Sequence, residues 1–256
     1  MARRAGKGAG ATPGGGRTRL DHLLVARGLA DSRAQAQGLI LAGRVLVEGE
    51  PVTKAGALIS REAPVSLKAP ASPYVSRGGD KLAAALDHFR VDPAGLAVLD
   101  AGASTGGFTH CLLLRGARRV YAVDVGFGQL DPKVRYDPRV AVLERTNLRA
   151  LAPDALPEPI DLATLDLSFI SLTLVLPVVK GLLRPAGRIL ALVKPQFEVG
   201  KGQVGKGGVV RDAALQQEAV ARVAGAARAL GFRVSQAFPS PLKGPKGNQE
   251  FFLLLS

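Results

Sequence analysis

Val98-Leu99-Asp100-Ala101-Gly102-Ala103-Ser104-Thr105-Gly106-Gly107-Phe108 is the stretch whose reading decides the fold. A short apolar run enters a glycine-rich turn and then an apolar segment that holds Cys111 among leucines. At a strand-to-helix junction of this kind, glycines let backbone approach a ligand and the helix start offers it free N–H groups. A tight turn with no ligand would look the same taken alone. Asp124 is the second observation, because it closes the next apolar run, Val120–Val123. An acid in that place accepts hydrogen bonds from ribose hydroxyls, so an adenosine-containing cofactor is expected. The spacing Gly102-x-Ser104-x-Gly106 departs from G-x-G-x-x-G and disfavours a nicotinamide cofactor. The candidate cofactor-binding residues are Asp100, Gly102, Ser104, Gly106, Gly107, Phe108 and Asp124, with Asp166 from a later strand end.

Outward from this stretch the pattern repeats. Ala97–Leu99, Val120–Val123, Val140–Leu143, Leu162–Leu165, Ile189–Val193, Phe232–Ala237 and Phe251–Leu255 read as strands, and helices fit residues 80–90, 106–116, 170–184 and 212–230. The alternation gives an α/β fold: a Rossmann-like seven-stranded sheet, mostly parallel, with helices on both faces. Ligands of such sheets lie beyond the carboxyl ends of the strands. Asp166 and Lys194 end two of the apolar strands, Glu250 precedes the last, and Lys81 opens the helix before the glycine turn. Brought together, these charges form one buried constellation over a cofactor. Taken singly, each reads as a solvated strand-end charge.

A long basic, glycine-rich loop follows Lys194 and runs to Asp212. Loops of that length are functional lids or mobile connectors. Lys201, Lys206 and Arg211 are its candidate phosphate contacts. Cys111 reads as a core thiol, and His22, His88 and His110 share no spacing that suggests a role.

Residues 1–16 are Gly-rich and basic and read as a disordered arm. Folded sequence is expected from Arg17, with Leu20, Leu23, Leu24 and Leu29 on one helical face. Ser32 followed by Gln35 has the capping-box pattern for a second helix ending near Gly43. Val45–Val47, a turn at Glu48-Gly49-Glu50, and Pro51-Val52 make a hairpin, and Val65–Leu67 adds a strand. Residues 69–75, with two prolines, read as a linker between this 17–68 module and a 76–256 domain. Residues 1–68 carry 11 Lys+Arg against 5 Asp+Glu, and the rest 23 against 16. The small module is thus the more basic per residue, with Arg17, Arg19, Arg33 and Arg44 as candidate RNA contacts.

The whole chain of 256 residues has a formal net charge of +13, which puts nucleic acid first among expected partners. A single cysteine excludes an internal disulfide, and no Cys/His cluster has zinc-ligand spacing, so no metal is expected. The longest oily stretch, Phe169 to Val179, is broken by Ser171, Thr173 and Pro177 and falls short of a membrane span. The basic N-terminus lacks the apolar segment of a secretory signal. A cytoplasmic protein without a membrane partner is expected. Aromatic residues are 5% with no Trp, too few for a stacking platform across a sheet.

Five motifs stand in order along the chain: Ser76-Arg77-Gly78-Gly79-Asp80-Lys81-Leu82, the Asp100–Phe108 turn, Lys194-Pro195-Gln196-Phe197-Glu198, Gly205-Lys206-Gly207-Gly208-Val209-Val210-Arg211-Asp212 and Gly247-Asn248-Gln249-Glu250-Phe251. Together they resemble the TlyA-type family of rRNA ribose 2′-O-methyltransferases, often labelled haemolysin A, over residues 17–256. The resemblance implies an RNA-binding module of the alpha-L ribosomal-protein type at 17–68 and an FtsJ-like methyltransferase domain at 76–256. It also implies S-adenosylmethionine as cofactor, ribosomal RNA or ribosomal subunits as partner, and a cytidine as target. Arg77 joins the expected RNA contacts. The family's Lys-Asp-Lys-Glu tetrad falls on Lys81, Asp166, Lys194 and Glu250. Lys194 would take the 2′-hydroxyl proton, Asp166 and Glu250 would orient it, and Lys81 would depress its basicity. After Arg211-Asp212 the chain reads Ala213-Ala214-Leu215, where the family often has a proline and later a histidine. Asp166-Leu167-Ser168-Phe169 lacks the Asp/Asn-Pro-Pro-aromatic signature of amino methyltransferases, which favours oxygen as the acceptor. Two other readings stay open: a ribosome-assembly factor that binds RNA without catalysis, and a membrane-active haemolysin.

Overall fold

A computed structural model describes residues 16–68, 72–152 and 154–256. The chain divides into two units, Met1–Ala71 and Ser72–Ser256. Residues 1–15 of the expected arm and 69–71 of the expected linker lie outside the described residues.

In the first unit, β1 (Arg17–Arg19) leads into α1 (Leu20–Ala26) and α2 (Arg33–Leu41), followed by β2 (Val45–Val47), β3 (Glu50–Pro51), β4 (Leu58–Ser60) and β5 (Val65–Leu67). Leu20 and Leu24 of α1 meet Ala36 and Ile40 of α2 in a small core closed by Val45. Ser32 Oγ accepts the Gln35 N–H at 3.2 Å, while Gln35 Oε1 accepts the Asp31 N–H at 2.6 Å. The reciprocal cap therefore forms, with its return bond one residue earlier than the pattern implies. The hairpin turn has φ of 53° at Glu48 and 86° at Gly49, the left-handed pair that matches strand twist. β1 and β4 pair antiparallel and were not expected. At three residues each, neither is long enough to show an apolar alternation.

The second unit runs α3 (Arg77–Phe89), β6 (Ala97–Ala101), α4 (Gly107–Leu114), β7 (Arg119–Val123), α5 (Pro132–Arg135), β8 (Val140–Leu143), β9 (Ile160–Leu165), α6 (Leu176–Leu182), β10 (Leu183–Val193), α7 (Pro195–Glu198), α8 (Ala213–Ala229), β11 (Phe238–Pro239) and β12 (Phe251–Leu255). Its seven strands lie in the order β11-β12-β10-β9-β6-β7-β8. β6 to β10 are parallel, and β12 and β11 are antiparallel additions. One apolar cluster joins Leu165, Val179, Ile189, Val223 and Leu253 on one face; another joins Leu86, Val98, Leu112, Leu192 and Phe252 on the other. The expected seven-stranded α/β sheet is present.

Three elements differ from expectation. The strand expected over Phe232–Ala237 is interrupted: Val234 bridges Leu255, and a regular strand forms only at Phe238–Pro239. Ser235 Oγ accepts the Leu254 N–H at 3.0 Å, a side chain standing where a ladder carbonyl would be, so regular pairing resumes only later. The helix expected over 170–184 breaks into a short 3-10 turn, Leu172–Leu174, and α6. Glu198 takes the Leu172 N–H and the Ser171 hydroxyl and so caps the start of the turn, while Pro177, which has no N–H to continue it, begins α6 as a first-turn residue. Lys81 lies in the second turn of α3 rather than at its start.

Candidate active site

β6 and β9 are neighbours, and the helices that follow them, α4 and α6, join different core clusters on the two faces of the sheet. A crevice opens beyond the carboxyl ends at such a point. Gly102 and Asp166 stand on it. The Asp166 N–H donates to the Ala101 carbonyl at 2.9 Å, and Gly102 has a φ of +86°. A Cβ at Gly102 would lie 2.6 Å from the Asp166 carbonyl oxygen, so no side chain fits there. Two cavities of about 750 and 500 Å³ adjoin at this place and share Gly102, Ser104, Asp166, Ser168 and Phe169.

Asp124 lines the smaller cavity with Gln129, Asn147 and Leu148. Its Oδ2 accepts the Ser104 N–H at 2.8 Å and its Oδ1 the Gly126 N–H at 2.7 Å. Two backbone donors thus fix a half-buried carboxylate whose other lone pairs face the cavity. Gly107 and Phe108 line the larger cavity, and Gly107 is pressed against Ser76 and Gly79 at the start of α3. Gly106 does not line either cavity and instead faces Leu130 and Val134. Asp100 also lies elsewhere than expected. It is wholly buried, accepts hydrogen bonds from Thr109 Oγ1 at 2.6 Å and Thr164 Oγ1 at 3.1 Å, and is pushed up to about 7 by burial. Its position beneath the turn makes it an internal tie between β6, β9 and α4.

The four charges expected at strand ends line the larger cavity, where they form two ion pairs. Lys81 Nζ is 2.6 Å from Glu250 Oε2, and Lys194 Nζ is 2.6 Å from Asp166 Oδ1. All but Asp166 are buried. Among the described residues Asp166 Oδ1 has no well-aligned hydrogen bond, so its contact with Lys194 is electrostatic; Nζ donates instead to Ser168 Oγ at 3.1 Å. Glu250 holds Lys81 rather than Lys194, which differs from the expected arrangement of two acids around one lysine.

The FtsJ-like methyltransferase family matches residues 74–256, and the S4 domain matches residues 18–65. The chain belongs to the FtsJ-like methyltransferase family. A similar relative is the 16S/23S rRNA (cytidine-2'-O)-methyltransferase TlyA of Mycobacterium tuberculosis, 51% identical over 240 residues, covering 93% of this chain and 90% of the relative. Hemolysin A of Brachyspira hyodysenteriae is 38% identical over 91% of this chain and 97% of its own length. Among solved structures, a candidate hemolysin from Streptococcus thermophilus has a TM-score of 0.71 at 40% identity, covering 94% of this chain and 88% of that one.

S-adenosylmethionine is the cofactor of this FtsJ-like methyltransferase, and the residues present suit it. The side-chain-free wall at Gly102 admits a ligand close to backbone, and Asp124 offers a fixed acceptor for ribose hydroxyls. Ser104, Gln129 and Asn147 add polar groups along the same cavity.

Several residues of the methyltransferase site escaped the sequence reading. Phe169 is 91% exposed with a φ of 64° and packs against Phe197, ring centroids 5.1 Å apart. Both line the larger cavity, with Gln196, whose Oε1 is buried without a hydrogen-bond partner among the described residues. An apolar residue after Leu167-Ser168 gave no signal that it would face solvent. Asn248 anchors the basic loop: Oδ1 accepts the Val210 N–H and Nδ2 donates to the Gly208 carbonyl, each at 2.9 Å. Among the expected RNA contacts, Arg77 is exposed, lines the cavity and donates to the Lys243 carbonyl at 3.2 Å. Lys206 and Arg211 are exposed, and the side chain of Lys201 lies outside what is described. Arg17 is exposed, Arg44 donates to the Lys68 carbonyl at 3.2 Å, and Arg19 and Arg33 both bind Asp21.

Proposed function

We propose that the chain methylates the 2′-hydroxyl of a cytidine ribose in ribosomal RNA. The observation that carries this reading is the Lys194–Asp166 pair set against Gly102, where the cofactor wall and the substrate cavity adjoin. The similarity to TlyA supports the rRNA cytidine as target. When bound, S-adenosylmethionine supplies a methyl group already activated as a sulfonium.

The remaining work is positioning and removal of one proton. Lys194 Nζ would take the proton of the 2′-hydroxyl and so leave its oxygen free to receive the methyl group that the cofactor would supply, the sulfonium departing as a neutral thioether. Asp166 and Ser168 hold Nζ toward the cavity. Lys81 and Glu250 line the same cavity as a buried pair, adding a second cation that is itself neutralised. Phe169 and Phe197 give the cavity an aromatic rim suited to a nucleobase turned out of its stack. The exposed Arg77, Lys206 and Arg211 supply phosphate contacts on the same unit.

The test is incubation with methyl-labelled S-adenosylmethionine and separated ribosomal subunits, followed by mapping of 2′-O-methyl positions. Label at a cytidine ribose is the expected result. Label confined to base nitrogens, or none in RNA, overturns the reading.

A further inference from the structure

Asp21 is an acid in the most basic part of the chain, and none of it is exposed. Its carboxylate collects five hydrogen bonds. Arg19 supplies two, Nε to Oδ1 and Nη2 to Oδ2, each at 3.0 Å. Arg33 Nε and Gln37 Nε2, both from α2, reach Oδ2 at 3.0 Å, and the His22 N–H reaches Oδ1 at 3.0 Å. Arg19 is also held from its other side. A Cβ at Gly56 would come within 3.1 Å of its Nη1, so the guanidinium lies directly against that backbone. These bonds, Arg19's foremost, keep Asp21 well below the usual carboxylate range, so it is charged at any working pH.

A carboxylate that only pinned β1 to α2 would need one cation, and that cation would be buried with it. Here there are two, and their side chains remain 42% and 54% exposed. Arg19 Nη1 and both Nη groups of Arg33 have no hydrogen-bond partner among the described residues. Two guanidinium groups drawn to the same oxygen would repel each other without the anion between them. Asp21 cancels one of the two charges and leaves a cluster of net +1. The unused donors of two planar forks, fixed in relative position, suit the tetrahedral oxygens of a phosphate.

We infer that Asp21 sets Arg19 and Arg33 as a single phosphate-binding fork, through which the first unit holds RNA backbone. The inference rests on the proposed rRNA substrate and assigns Asp21 as a positioning residue.

The test uses the full chain and ribosomal subunits, with binding measured across a series of salt concentrations. Asp21→Asn keeps the side chain's shape and raises the net charge by one. Were the charge of the unit all that mattered, this variant would bind RNA more tightly. The expected result is the reverse: affinity lower by about tenfold, the scale of losing one charged hydrogen bond. The salt dependence should be shallower by about one power of salt concentration. S-adenosylmethionine binding should be unchanged. Equal or tighter RNA binding by a folded Asp21→Asn chain overturns the inference. If that variant loses its first unit on thermal melting, Arg19→Lys with Arg33→Lys decides. Charge is then preserved and the fork is not, so wild-type affinity overturns the inference and a loss of about tenfold sustains it. Wild-type chain that neither binds nor methylates subunits would instead refute the rRNA reading beneath it.

Discussion

Lys194 is the residue on which the chemistry is most exposed to test. A proton acceptor must exist without its own proton, and an arginine does not. Lys194→Arg and Lys194→Ala are both expected to abolish methyl transfer while S-adenosylmethionine still binds, and the wild-type single-turnover rate should rise with pH to a plateau. Substantial turnover by Lys194→Arg would leave the side chain as an electrostatic support only. Asp124→Ala should weaken cofactor binding by about 1–3 kcal/mol, read by calorimetry, since two backbone N–H groups lose their acceptor along with the ligand. Asp100 makes a different prediction. Burial raises its carboxyl to about 7, so between the ordinary carboxylate range and that value the folded chain keeps a proton that the unfolded chain has lost. Stability attributable to Asp100 is therefore complete at low pH and falls as pH rises toward 7, by up to about 4 kcal/mol. Thermal melts from pH 5 to pH 8 should show a smaller decline for Asp100→Asn than for wild type. Parallel curves would mean that Asp100 is ionised in the fold.

At the scale of elements, β6, β7 and β9 were readable because each is mostly apolar and buried along nearly its whole length. The glycine turn was readable because Gly102 permits a backbone approach that other residues block. What stayed hidden was decided by partners distant in sequence. The segment after β9 starts at Leu172 rather than at residue 170 because Glu198, 26 residues away, caps the Leu172 N–H. The partition of the tetrad into two pairs depends on α3 meeting the residue before β12, a contact across 169 positions that no local pattern encodes. Asp100 looked like a ligand group from its place in the turn and proved internal because its side chain points between two threonines. Asn248 carries an element-scale prediction. Asn248→Ala strips the Val210 N–H and the Gly208 carbonyl of their partners, and should loosen the 199–212 loop by about 1–3 kcal/mol. Tryptic cleavage after Lys206 should accelerate, with the melting of the sheet little changed.

For the whole molecule, each unit has its own apolar core. The glycine turn, Asp124 and both ion pairs belong to the second unit, and the greater charge density to the first. Deletion of residues 1–68 is therefore expected to leave S-adenosylmethionine affinity nearly intact and to reduce methylation of ribosomal subunits sharply. The truncated chain should also show a flatter dependence of RNA binding on salt. Unchanged subunit affinity after the deletion would place RNA recognition in the second unit alone. None of the helices among the described residues is long and apolar enough to cross a membrane.

The sheet order has a consequence for how this chain is made. β12, from the latest residues of its unit, inserts between β10 and β11, and Glu250 sits at its start. During synthesis the apolar edge of β10 must wait unpaired until residues 251–255 emerge. Only then do Lys81 and Glu250 meet and complete the cavity. A nascent chain thus lacks the Lys81–Glu250 pair until β12 arrives, and a chain that stopped before Phe251 would carry a bare, aggregation-prone edge on β10. The finished sheet carries its own guard on that side: the outermost strand, β11, is two residues long and ends in Pro239, which has no N–H to offer another chain.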